Sequence, residues 1–318
     1  MRKACVVTGV AGFVGSHVAE RLLARGIEVV GVDNFFSGYA HNMVGFKDHP
    51  AFTFYERTIT EPSLLERLKE RHPALMACFH LAAVVSVPYS VDHPEETLEV
   101  NWHATARLLD EAAGLGFEAF LFAGSAAEYG EEARLPVREE YATDQTDHPS
   151  PYGRSKYLSS QRVGSSPIGV ALRCFNIYGP RQDPRSPYSG VISRFVDLAF
   201  SKKPLTVFGD GQQTRDFIYV GDMVSAYVRA AGLDGVVSRM PNGIYNIGTG
   251  ERTSILKLAD VINELAGNGE PTQYLPERPG DIRHSVASVE RFHQATGWAP
   301  EVGLKDGLRL TLDWARSG

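Results

Sequence analysis

Residues 149–156 read Pro-Ser-Pro-Tyr-Gly-Arg-Ser-Lys and place Tyr152 four residues before Lys156. At that spacing the two side chains share one face of a helix. An ammonium beside a phenol favours the phenolate, so a tyrosine of ordinary pKa about 10 gains a route to acting as a base near neutrality. The pair is therefore a possible general base with its tuning group attached. Amphipathic helices without chemistry also carry Tyr-x-x-x-Lys, so the surroundings have to decide. Ser125 ends an apolar run, and its hydroxyl could enter the same crevice. A serine at a strand end is otherwise just a turn residue.

The elements that must position these groups alternate regularly. Residues 3–8 are a short apolar run. Gly9-Val10-Ala11-Gly12-Phe13-Val14-Gly15 and an amphipathic stretch from Ser16 to Leu23 follow. That order predicts strand, glycine turn and helix. Glycines spaced G-x-x-G-x-x-G let a backbone approach a pyrophosphate at a helix N-terminus, although a glycine cluster alone can be a mere turn. The next strand, 27–32, ends at Asp33. A carboxylate there can accept both hydroxyls of an adenosine ribose and repels a 2′-phosphate, favouring NAD over NADP; Asp-Asn-Phe-Phe-Ser-Gly is also good loop chemistry.

Strands at 52–56, 75–80 and 119–122 alternate with helices near 61–71 and 92–114, which predicts a parallel sheet covered on both faces. Small residues at Ala82 and Ala83, just past a strand end, suit close approach of a ligand, whereas His80 reads as a packed residue. Beyond residue 174 the alternation loosens. Residues 175–182 and 208–211 read as loops, and helices are expected near 190–201, 221–232, 254–266 and 303–316.

Composition narrows the class. The apolar fraction of 43% and charged fraction of 22% are those of an ordinary globular protein. A net charge of −6 with no Lys/Arg-rich run argues against a nucleic-acid partner. No apolar stretch is long enough for a bilayer, so no membrane partner is expected. The N-terminus is basic then apolar, like the start of a signal peptide, but Thr8-Gly9 cuts the run short and makes it a strand. Cys5, Cys78 and Cys174 are an odd number without Cys-x-x-Cys spacing, which suits reduced thiols in the cytoplasm. The histidines lack a ligand pattern, and no metal is expected.

Taken in order, Thr-Gly-x-x-Gly-x-x-Gly, Asp33, His80-Leu-Ala-Ala83, Ser125 and Tyr152/Lys156 resemble the extended short-chain dehydrogenase/reductase superfamily. Arg173-Cys-Phe-Asn-Ile-Tyr-Gly-Pro-Arg-Gln182, Phe208-Gly-Asp-Gly-Gln-Gln-Thr-Arg-Asp-Phe217, Tyr245-Asn-Ile-Gly-Thr-Gly250 and Arg278-Pro-Gly-Asp281 are similar to its nucleotide-sugar branch, especially the UDP-hexose 4-epimerases. The resemblance implies an α/β fold, a doubly wound parallel (Rossmann) sheet with a smaller α/β substrate lobe. Residues 1–173 with about 215–247 would bind NAD, and about 174–214 with 248–318 a nucleotide sugar. It further implies a cytoplasmic homodimer built from the helix near 92–114 and the one after Tyr152.

Carried over by motif, the cofactor contacts are Gly9, Gly12, Phe13, Val14, Gly15, Asp33, Asn34, Ser37, Gly38, Thr58, Ile59, Leu81, Ala82, Ala83, Asn101, Tyr152, Lys156 and Phe175. The catalytic set is Ser125, Tyr152 and Lys156. The UDP-hexose contacts are Ser86, Ser125, Asn176, Val191, Thr206, Phe208, Arg215, Arg278, Asp281 and Ser285. The implied reaction is a transient oxidation at C4, with Tyr152 as base, Lys156 lowering its pKa and Ser125 relaying the proton.

The chain departs from the family pattern in places. Gly124 stands where Ser or Thr is usual, Glu128 where an apolar residue is usual, Thr58 where Asp is common, and Gly221 where an acid is usual. Only 16 residues separate Lys156 from Arg173, which means either a truncated helix or a missing loop. Other readings on the same scaffold are a 4,6-dehydratase, a uronate decarboxylase and a reductase that releases its cofactor. Ala126-Ala127 lacks the acid pair of the first, and the Ser-Glu pattern of the second is absent. A sensing protein that has lost catalysis is the reading from another class, and the intact Ser125, Tyr152, Lys156 and arginines weigh against it.

Overall fold

The apolar runs and the amphipathic stretches between them become a parallel sheet with helices on both faces. The computed structural model describes residues 3–183, 190–277 and 282–317. The first half contains β1 (Ala4–Thr8), α1 (Phe13–Ala24), β2 (Glu28–Asp33), β3 (Phe52–Glu56), α2 (Leu64–Arg71) and β4 (Leu75–His80). It continues with α3 (Val87–Asp92), α4 (Pro94–Leu98), a π turn (Glu99–His103), α5 (Ala104–Gly114), β5 (Ala119–Ser125), a 3-10 turn (Ala126–Tyr129) and α6 (Pro151–Gly164). The second half contains β6 (Gly169–Cys174), β7 (Asn176–Tyr178), α7 (Val191–Phe200), β8 (Thr206–Phe208), β9 (Thr214–Arg215), β10 (Phe217–Tyr219) and α8 (Val220–Ala230). Last come β11 (Gly243–Ile247), β12 (Thr253–Ser254), α9 (Ile255–Ala266), β13 (Gln273–Leu275), α10 (Glu290–Thr296) and α11 (Leu304–Ser317).

The central sheet has the order β11-β6-β5-β4-β1-β2-β3, and its pairs are parallel. This is the doubly wound arrangement expected from sequence. The chain winds outward from β1 to β3 and then restarts at β4, and in such sheets the crevice for a ligand opens where the order reverses. Every residue of β1 is buried. Cys5 and Val7 join one core with α1 and α8, and Ala4 and Val6 join the other with α2 and α5. A third core unites Phe195, Val207, Ile255, Leu258 and Leu308 from α7, β8, α9 and α11. Phe292 and Trp298, within a stretch expected in the smaller lobe, pack instead in the core on the α1 side of the sheet.

Three local expectations change. Residues 176–178 form a strand, because their backbone pairs with β10, a partner about forty residues away that no local window contains. The helix expected over 92–114 starts at Pro94 after a break at His93, and widens into the π turn. There the Asn101 carbonyl accepts hydroxyls from Thr105 and Ser159, both at 2.7 Å. The short span after Lys156 is a truncated helix, since α6 ends at Gly164 and four residues lead into β6.

Candidate active site

Ser150 caps α6 by accepting the Gly153 N–H at 3.1 Å, and Pro151 takes the first helical position, which suits its fixed φ and missing N–H. This start puts Tyr152 in the first turn and Lys156 one turn further in. Lys156 is 3% exposed. Its Nζ donates to the Ala123 carbonyl at 2.8 Å and lies 4.8 Å from the Phe122 ring centre and 5.9 Å from that of Tyr152. Ser125, at the end of β5, lines the same cavity wall and is the group that holds the Tyr152 phenol down against burial. A strand end and a helix start thus bring the three groups together.

Electrostatically the site differs from the sequence expectation. Burial pushes Tyr152 up to about 12, and the Ser125 hydroxyl opposes that rise. Burial pulls Lys156 down to about 8, with Glu128 opposing. Among the protein's own groups, desolvation therefore outweighs the expected lowering of the phenol by the ammonium. His80 is a structural residue. Its ring nitrogens are within 2.7 Å of the Thr8 hydroxyl and 2.9 Å of the Thr105 hydroxyl, and burial takes it down to about 3, a neutral imidazole.

The three groups line a cavity of about 690 Å³ at the C-terminal ends of β1, β2, β4 and β5. Gly9, Gly12, Phe13, Val14, Gly15, Asp33, Asn34, Ser37, Gly38, Thr58, Ile59, Leu81, Ala82, Ala83 and Phe175 share its wall. α1 begins there with Gly12 as its N-cap and no side chain capping it, so the first-turn amides face the cavity rim. Gly15 lets the turn close, since a Cβ there would overlap the carbonyl oxygen of Gly9. The Asp33 carboxylate accepts from Ala11 N–H at 2.9 Å and Phe35 N–H at 2.8 Å, which fixes its direction. Burial raises its pKa, against these hydrogen bonds. An uncapped helix start, a glycine turn and an oriented carboxylate on one wall fit a dinucleotide.

The sequence profile of the NAD dependent epimerase/dehydratase family matches residues 5–248. The UDP-glucose 4-epimerase of Mycolicibacterium smegmatis is 35% identical over 322 residues, covering 98% of each chain. The chain belongs to the NAD-dependent epimerase/dehydratase family. Among solved structures, the UDP-glucose 4-epimerase of Thermotoga maritima with UDP-glucose superposes with a TM-score of 0.88 at 33% identity, covering 99% of both chains. The UDP-N-acetylglucosamine 4-epimerase of Methanobrevibacter ruminantium, in complex with UDP-N-acetylmuramic acid, gives 0.90 at 32% identity over 99% of both. The protein is an NAD-dependent epimerase, an isomerase.

Not every expected contact of this epimerase reaches the cavity. Asn101 stands behind the wall, 1% exposed. Its amide is spent on the Val84 N–H (2.8 Å), the Val84 carbonyl (2.9 Å) and the Ser155 hydroxyl (3.2 Å). It holds the segment after β4 in place. Ser86 caps α3 by accepting the Tyr89 N–H at 2.9 Å. Asn176 donates from its backbone and side-chain nitrogens to the Asp216 carbonyl, both at 3.0 Å. Arg215 on β9 donates to the Thr214 carbonyl at 2.9 Å, and the Ser285 N–H bonds that same carbonyl at 3.1 Å. Thr206 and Phe208 lie on β8, and Val191 opens α7. Arg278 and Asp281 lie outside the described residues.

Two wall residues carry chemistry that sequence reading did not assign. Arg181 pairs with Glu20 at 2.6 Å through Nη2, while Nη1 is buried without a hydrogen-bond partner among the described residues. Tyr227, from α8, backs Cys174 with hydroxyl and sulfur 3.5 Å apart. Arg181 follows Gly-Pro in a loop and could have been flagged as a cation. Tyr227 looks like any core residue of an amphipathic helix, and nothing local marks it. Among the described residues no cluster of three His, Cys, Asp or Glu side chains could hold a metal, and no helix is long and apolar enough to cross a membrane.

Proposed function

We propose that this enzyme inverts C4 of UDP-glucose and UDP-galactose and also accepts their N-acetylated forms. The observation that carries the reading is Ser125, Tyr152 and Lys156 on one wall with Asp33 and the glycine turn. In this reading the first amides of α1 hold the pyrophosphate of NAD, Asp33 the adenosine ribose, Thr58 and Ile59 the adenine, and Lys156 the nicotinamide ribose. NAD held by these residues would supply the hydride acceptor for a transient 4-keto sugar. Tyr152 takes the proton of the 4-hydroxyl, and Ser125 hydrogen-bonds the 4-oxygen and relays that proton. Asn176 and Arg215, with Arg278, hold the diphosphate, and Asp281 the uridine ribose. Binding energy there, remote from C4, offsets the cost of orienting the sugar. Thr206, Phe208, Val191 and Ser86, which lie outside the cavity lining of the free chain, would meet the substrate by family resemblance. Ala126 and Ala127 provide no acid for a dehydratase, which favours epimerisation.

We also infer a cytoplasmic homodimer formed through α4, α5 and α6, with residues 1–173 and about 215–247 as its cofactor domain. Ser285 stands where, by family resemblance, the pocket meets the sugar's 2-substituent, and its small side chain leaves room for an N-acetyl group. The N-acetylated sugar named for one structural neighbour supports this. Incubation with UDP-glucose, UDP-N-acetylglucosamine and UDP-glucuronate, products resolved by NMR, tests the reaction. Conversion of neither UDP-glucose nor UDP-N-acetylglucosamine would sink it. Ser285→Tyr should lower kcat/KM for UDP-N-acetylgalactosamine selectively over UDP-galactose, and equal loss on both would remove Ser285 as the gate.

A further inference from the structure

The departures at Gly124 and Glu128 form a single structural feature. Glu128 lies in the 3-10 turn that follows β5 and is 0% exposed. Its Oε1 accepts from the Ser125 N–H and from the Ser160 hydroxyl, both at 2.8 Å. Its Oε2 accepts from Arg173 Nε at 2.5 Å, and Arg173 is equally buried. A Cβ on residue 124 would stand 2.8 Å from Oε1 and 2.9 Å from the Ser160 hydroxyl oxygen, so glycine there makes room for the carboxylate. The Ser125 hydroxyl in turn accepts the Ala127 N–H at 3.2 Å, closing a capping box with Glu128. A buried ion pair is a poor route to stability, because desolvation consumes most of the attraction. Arg173 even leaves Nη2 without a partner among the described residues. The pair is fully buried, and its carboxylate touches the backbone of Ser125.

We propose that Glu128, held by Arg173, is a positioning residue that orients Ser125 toward Tyr152 and sets a carboxylate against Ser160, one helical turn beyond Lys156. This rests on Ser125, Tyr152 and Lys156 being the catalytic set. Among the described residues, the groups that act on Lys156 besides burial are the Glu128 carboxylate and the Cys174 thiol. Cys174 on β6 is held protonated, its thiol pushed up to about 12 by burial, and Tyr152 on the same helix is pushed up likewise. His80 on β4 is neutral, and Arg173 on β6 is a cation already committed to Glu128. Tyr227 on α8, behind Cys174, stays a neutral phenol. Glu128 is the leading influence opposing the burial of Lys156.

Two variants test this. Glu128→Gln keeps the shape and removes the charge. Glu128→Leu/Arg173→Met replaces the pair with apolar side chains, an exchange that buried pairs often tolerate. The expected result is a KM within about twofold of wild type with kcat lowered about tenfold or more, a loss in the transition state rather than in binding. The alkaline limb of the kcat–pH profile should move to lower pH in Glu128→Gln, and the Ser125 amide should exchange its proton faster in the double variant. Folded variants with wild-type kcat and an unmoved limb would overturn the proposal. So would failure of both to fold, which would make the pair a folding element. Tyr152→Phe, run alongside, separates the two readings. If it keeps wild-type turnover the catalytic set is wrong; if it is inactive while the limb stays fixed in Glu128→Gln, only the role of Glu128 falls.

Discussion

Replacing Lys156 with methionine should uncouple stability from activity in a way that pH can read. Lys156 is buried, and desolvation pulls it from the ordinary 10.5 to about 8. With the folded value below the unfolded one, between those two pH values the unfolded chain holds a proton that the folded chain has released. Stability contributed by this group therefore rises with pH across that window, and below it the buried ammonium imposes its full cost. The gap between 10.5 and about 8, at about 1.36 kcal/mol per pH unit, amounts to about 3 kcal/mol. The buried thiols act in the opposite direction above about pH 9. Burial raises Cys5, Cys78 and Cys174, so the unfolded chain ionises first and stability falls. The wild-type curve mixes both effects, and the difference between wild type and Lys156→Met isolates the lysine. Urea unfolding of both proteins from pH 7 to 10.5 should show wild type gaining about 3 kcal/mol on the variant. Turnover of the variant at pH 7 should meanwhile fall about a thousandfold. A difference curve that stays flat from pH 8 to 10.5 would refute the claim that Lys156 is held as a destabilised buried ammonium.

Tyr152→Phe removes only the ionisable oxygen and should fold, retain NAD and lose about a thousandfold or more in kcat; bound coenzyme and turnover measured on one preparation check both halves. Asp33→Ser removes the carboxylate that would meet a 2′-phosphate, so the NAD-to-NADP affinity ratio should fall by on the order of a hundredfold. Titration of cofactor-stripped protein with each dinucleotide reads that ratio, and an unchanged value would exclude Asp33 as the selector.

Much of this protein is dictated by local pattern. The glycine turn, the apolar strand before it and Asp33 at the next strand end are short-range features, and each follows from what its own residues can adopt. The sequence therefore carried the doubly wound sheet and the grouping of Ser125, Tyr152 and Lys156 with the glycine turn and Asp33 around one cavity. It could not carry outcomes decided by distant partners. Residues 176–178 are a strand because β10 offers them a ladder. Asn101 turns inward because its carbonyl is claimed by Thr105 and Ser159 and its amide by Val84. The ionisation of the site was also beyond reach, since spacing shows that Tyr152 and Lys156 are neighbours but not how dry their neighbourhood is. Burial decides both values, and burial is a property of the folded chain. Glu128 is the plainest case: in sequence it is an acid in an apolar position. Only the fold brings Arg173 and Ser160 to it and makes Gly124 the residue that leaves it room.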